Sequence, residues 1–189
     1  MNNFEIVILA LALVFNSWLT YMNAGIVLSK ELLIRKGYYS GIMFFFQFVM
    51  AGVGIWVGAK FGSIEIRINM LISLCILLLF GLKVLLSALR TQVDERTYDY
   101  TDNKVLLFAA LAEGITPLVI GTAIGLLSLH PYLHWLVIGF FLLTGILMGL
   151  ITTIRMGSDS LKLRLGPIGG ILILAAAIKL ILNLTRFGI

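Results

Sequence analysis

Residues 105–130 read VLLFAALAEGITPLVIGTAIGLLSLH, an apolar run long enough to cross a bilayer and interrupted by one acid, Glu113. A hydrocarbon core about 30 Å thick is spanned by about 20 apolar residues in helical form, so the stretch is predicted to be a transmembrane helix. Glu113 is read as the one acidic residue deep inside an apolar segment. A carboxylate there is costly and calls for a partner, a wet cavity or a proton. Pro117 removes a backbone donor and crowds the preceding turn, so carbonyls near Glu113 and Gly114 are freed or bent and become oxygen ligands. Residues 8–30, ILALALVFNSWLTYMNAGIVLSK, look like a counterpart, with Asn16 lying where the other stretch has Thr116. The two helices are predicted to be the walls of one polar site. Asn16, Thr20 and Asn23 follow at i, i+4 and i+7 on one helix face, a stripe that serves as a polar lining or as hydrogen-bonding glue between helices.

The rest of the chain agrees with a membrane setting. Its 189 residues are 60% hydrophobic and 12% charged, with mean hydropathy +1.07, whereas soluble domains are roughly 25% charged. Apolar windows fall near 6–28, 39–59, 68–89, 105–128, 133–154 and 166–185. This predicts an all-α integral membrane protein of six transmembrane helices, a single transmembrane domain over 1–189 with no room for a soluble catalytic domain. The first run lacks a basic leading segment and a convincing small-residue cleavage site, so it is read as a helix of the mature protein. The lone Cys75 excludes a disulfide framework and a thiolate metal cluster.

The net charge of +5 does not point to nucleic acid, because the basic residues flank the spans with no interleaved aromatic platform. They report orientation instead. The loops after helices one, three and five hold nine of them: Lys30, Arg35, Lys36, Arg90, Arg96, Lys104, Arg155, Lys162 and Arg164. The opposite side holds three, Lys60, Arg67 and Arg186. The excess marks the cytoplasmic side, which places both termini outside the cytoplasm.

Other polar residues are weighed against packing roles. Gln47 in helix two is a candidate lining residue, beside glycines 52, 54 and 58 that permit close backbone approach. Lys83 is expected about 10 Å and Glu113 about 13 Å from the cytoplasmic face, close enough to form a buried ion pair that would silence the acid. The mixed-charge stretch 90–104 is read as a linker, since it lacks the spacing and glycine turn of a calcium loop. His130 and His134 are read as an interfacial pair, with no third metal ligand nearby in sequence. Pro167, in GPIGG, suits a helix start.

The halves resemble one another, with a first repeat over about 6–89 and a second over about 105–185. Lys83 matches Lys179, and Ile42, Phe44 and Phe45 match Ile138, Phe140 and Phe141, at an offset of 96; Leu11, Ala12 and Gly25 match Leu111, Ala112 and Gly125 at 100. With three spans per half the second copy enters from the opposite side. Such a 3+3 inverted repeat is a transporter architecture, with its substrate site expected near the midplane between the repeats.

The chain also resembles the MntP family of manganese efflux pumps. The likeness runs end to end: NAGIVLSK closing helix one, FFFQ in helix two, FGLK in helix three, VIGFF and IRMG around helix five, and GGILILAAAIKLIL in helix six. The resemblance implies a six-helix inner-membrane transporter exporting Mn²⁺. Family members carry intramembrane aspartates in helices one and four that handle the cation; here those positions hold Asn16 and Thr116, and Glu113, one helical turn nearer the cytoplasm, is the acid that would substitute. The candidate cation site is therefore Glu113 with Asn16, Thr116 and Gln47 as neutral ligands. One carboxylate against a divalent ion leaves about one net positive charge in a low-dielectric cavity, a penalty of several kcal/mol.

The expected partners are membrane lipid and a divalent metal ion as substrate, with no cofactor and no nucleic acid; a homo-oligomer stays open. An enzyme is not expected, because no intramembrane nucleophile and base or set of three metal ligands assembles. A diverged exporter of another small solute and a non-transporting membrane partner protein are the competing readings. A carboxylate-to-ammonium contact between Glu113 and Lys83 would favour the last.

Overall fold

In lipid, backbone amides and carbonyls must be satisfied internally, which favours helices for long apolar runs. The computed structural model describes residues 3–27, 33–62, 65–89, 102–127, 130–156 and 159–186. They form six helices, α1 (Asn3–Val27), α2 (Leu33–Phe61), α3 (Ile66–Leu89), α4 (Asn103–Leu127), α5 (Pro131–Met156) and α6 (Asp159–Arg186). Five of the helices are long and apolar enough to cross a membrane, and α6 has the shorter apolar stretch Pro167–Asn183. The chain is an all-α integral membrane protein. One boundary departs from expectation. Pro167 does not open the last helix but lies inside it, because the polar residues from Asp159 onward continue the helix ahead of its apolar part.

Local chemistry fixes several helix ends. The Asp102 carboxylate accepts a hydrogen bond from the Lys104 amide at 2.9 Å, satisfying a donor in the first turn of α4. The Asn69 amide donates to the Gly62 carbonyl at 3.0 Å, tying the start of α3 to the end of α2. Between helices, Trp18 donates to Thr152 Oγ1, Ser73 to the Ala123 carbonyl and Trp135 to the Phe48 carbonyl. These donors, costly to leave bare in hydrocarbon, lock one helix against another.

Neighbours in sequence are not the main neighbours in space. The principal pairs are α2 with α4, α1 with α5 and α3 with α6, joined by α1 with α6, α3 with α4 and α2 with α5. This pattern is unchanged when α1, α2 and α3 are exchanged with α4, α5 and α6. The closest approaches follow the same exchange. A Cβ at Gly54 or Gly58 of α2 would overlap the carbonyl of Leu118 or Thr122, whereas one at Gly145 or Gly149 of α5 would lie 2.8 Å from the Val14 carbonyl or 2.9 Å from the Trp18 carbonyl. Gly81 seats Leu174, and Gly170 seats Leu85.

The contacts thus set Gly54 against Gly145, Val14 against Leu118 and Gly81 against Gly170. Those offsets are 91, 104 and 89, not the 96 and 100 of the short sequence matches. The difference has a physical reason. Leucine, alanine and phenylalanine recur throughout any apolar span, whereas the positions at which two backbones touch admit only small residues. In this register Asn16 corresponds to Ile120 and not to Thr116.

Candidate functional site

α1 and α4 make few direct contacts, and the space between them is closed by α3. There a cavity of about 350 Å³ is lined by Asn16 from α1, by Phe80, Lys83 and Ser87 from α3, and by Glu113 and Thr116 from α4. The sequence predicted two walls; the structure has three. The sequence brought Lys83 of α3 near Glu113 as an ion-pair partner and not as part of a wall, because α3 reads as an almost uninterrupted apolar span.

The Glu113 carboxylate is held by its neighbour across the helix pair, Thr20, whose hydroxyl donates to Oε2 at 3.0 Å. The same hydroxyl lies 3.1 Å from the Asn16 carbonyl one turn back on α1. The stripe Asn16 and Thr20 therefore does both of the things its spacing allowed, one residue lining the cavity and the other fixing the acid. Asn23 has a side chain outside those described. Four residues after Glu113, Pro117 sits inside α4 and has no N–H, so the Glu113 carbonyl lacks its ordinary helical donor. The residue thus presents an ionisable group and a main-chain oxygen relieved of its intrahelical bond.

Gln47 is not part of this cavity. It is fully buried on α2 and accepts a hydrogen bond from the Ser17 hydroxyl at 3.1 Å, while its Nε2 has no partner. Ser17 also lies beside Gly145 of α5, so Gln47 belongs to the buried interior where α2 reaches α1 near α5. The ion pair foreseen between Glu113 and Lys83 is also absent. Among the described residues neither is in an ion pair, and the Lys83 ammonium rests over the Phe80 ring, 5.6 Å from its centroid.

A second buried acid escaped the sequence reading. Glu5, 2% exposed, accepts a hydrogen bond from Asn183 between α1 and α6. It stands at the start of an apolar run, where an acid looks like a solvated helix end, and only the packing of α6 across it reveals the burial. His134 is buried as well and its amide bonds to the His130 carbonyl at 3.3 Å. Among the described residues no group of three or more histidines, cysteines or acids is arranged to hold a metal. Most of the charged linker, residues 90–101, lies outside the described residues.

The family whose description reads "Putative manganese efflux pump" matches residues 31–181. The chain belongs to this family. Its relatives carry the same description in their names. That of Aliarcobacter butzleri is 26% identical over 181 residues, covering 94% of this chain and 98% of its own. That of Methanobrevibacter smithii is 29% identical over 150 residues, with 77% and 80% covered, and that of Mannheimia succiniciproducens is 22% identical over 192 residues with both chains covered in full. No solved structure matches. The family match spans α2 through α5 and most of α6, and so includes α3 and α4, which carry most of the cavity wall.

Proposed function

We propose that the chain is a manganese exporter of the cytoplasmic membrane, moving the divalent ion outward by alternating access, with no enzymatic step. The observation that carries this reading is the cavity that gathers the Glu113 carboxylate with Asn16 and Thr116 between α1, α3 and α4. Mn²⁺ favours oxygen ligands, and the carboxylate, the Asn16 amide oxygen, the Thr116 hydroxyl and the Glu113 carbonyl freed by Pro117 supply them. Thr20 orients the acid through a single hydrogen bond from a neutral hydroxyl. A single carboxylate cancels half the charge of the cargo, which suits a carrier that must release what it binds. Gln47 has no ligand role in this arrangement.

The test is expression in manganese-sensitive cells with measurement of intracellular metal. The wild-type chain lowers cell manganese and restores growth. Glu113→Gln, which keeps the shape and removes the charge, abolishes both effects at equal protein level. Unchanged metal with the wild-type chain rejects the reading.

A further inference from the structure

A site for a divalent cation has reason to exclude other cations, yet Lys83 places an ammonium in the wall of the same cavity as Glu113. The side chain is exposed and, among the described residues, is engaged only with the Phe80 ring. An ammonium over a phenyl face is weakly held at an exposed site, and the four-carbon stem of lysine turns freely. The Glu113 carboxylate, for its part, has a neutral hydroxyl as its hydrogen-bond partner. Opposite charges facing one cavity attract, and a divalent ion on the carboxylate repels the ammonium with twice the charge.

The geometry points to Lys83 as a tethered competitor of the transported ion: its ammonium approaches Glu113 when the metal leaves and withdraws over Phe80 when the metal binds. In the structure the ammonium rests over Phe80. The two cations cannot share one carboxylate, so Lys83 weakens metal binding and promotes release. This rests on the transport reading above and adds to it the group that sets affinity against turnover.

The experiment uses the full chain. Binding is measured in detergent by titrating Mn²⁺ and reading the free ion from its solution paramagnetic resonance signal; transport is measured as Mn²⁺ flux in proteoliposomes. Lys83→Gln binds Mn²⁺ about tenfold more tightly than wild type, the size of an ordinary coupling between two sites, and has a lower maximal flux with a lower half-saturating concentration. Lys83→Met, which keeps an apolar stem in case glutamine disturbs folding, behaves the same way. Lys83→Arg retains the charge and gives no tightening. In the Glu113→Gln background, removing the ammonium brings no gain in affinity, because there is no carboxylate to compete for. Equal or weaker binding by both neutral variants overturns the inference while leaving transport intact. A wild-type chain that neither binds nor moves Mn²⁺ rejects the transport reading, and the inference with it.

Discussion

Glu113 owes its availability to two neighbours of different kinds. Thr20 reaches it from α1 with one hydrogen bond at 3.0 Å, and Pro117 strips a donor from its own carbonyl. A hydrogen bond to a charged group is worth about 1.5–3 kcal/mol. Thr20→Val, which preserves shape, is therefore expected to lower Mn²⁺ flux by about tenfold while leaving the protein folded, and Thr20→Ser to restore most of it. Equal flux in the valine variant would mean that the carboxylate needs no orientation. Polar letters in an apolar run are conspicuous, and on that basis Asn16, Glu113 and Thr116 were legible as one cluster. Gln47 was equally conspicuous but assigned to the wrong neighbours, since a lone sequence does not say which face of α1 it meets; the answer is Ser17. Glu5 failed the other way, being hidden by its place near the chain start.

At the scale of helices, what was legible was length and apolarity, and what was not was the partner of each helix. α2 lies against α4 through Gly54, Gly58, Gly121 and Gly125, where a Cβ at Gly121 would stand 2.6 Å from the Ala51 carbonyl. Gly54 and Gly58 were visible in the sequence as glycines that permit close approach, but not which helix they faced, and Gly121 and Gly125 on the facing helix were not singled out for close approach. Backbone atoms cannot step aside for a side chain, so Gly125→Leu is expected to prevent folding, at a cost above about 4 kcal/mol. Gly41 belongs to the same helix as Gly54 and has nothing within 4 Å of a built Cβ. Gly41→Ala is expected to leave the fold intact and to stabilise α2 by up to about 1 kcal/mol from helix propensity. The recovery of monodisperse protein after a heating series separates the two. Loss of folded protein in both variants would remove the α2–α4 seam as the explanation.

For the molecule as a whole, the cavity has a side. Lys83 and Ser87 stand near the C-terminal end of α3 at Leu89, and Glu113 lies ten residues into α4 from Asn103, about 15 Å along the helix axis. Both helix ends adjoin the linker over 90–101, which belongs to the side rich in lysine and arginine. An exporter must load from the cytoplasm, so the charge asymmetry and the cavity position make one joint demand: the linker side is cytoplasmic. In a Cys75→Ser background, His130→Cys is expected to react with a membrane-impermeant maleimide in intact cells, and Asp102→Cys only after permeabilisation. Inward loading and the orientation rule stand together on this measurement. Labelling of Asp102→Cys in intact cells would turn the cavity mouth outward and make the same carboxylate an entry site for uptake, which the export assay with Glu113→Gln would then register as a rise in cell manganese lost on mutation.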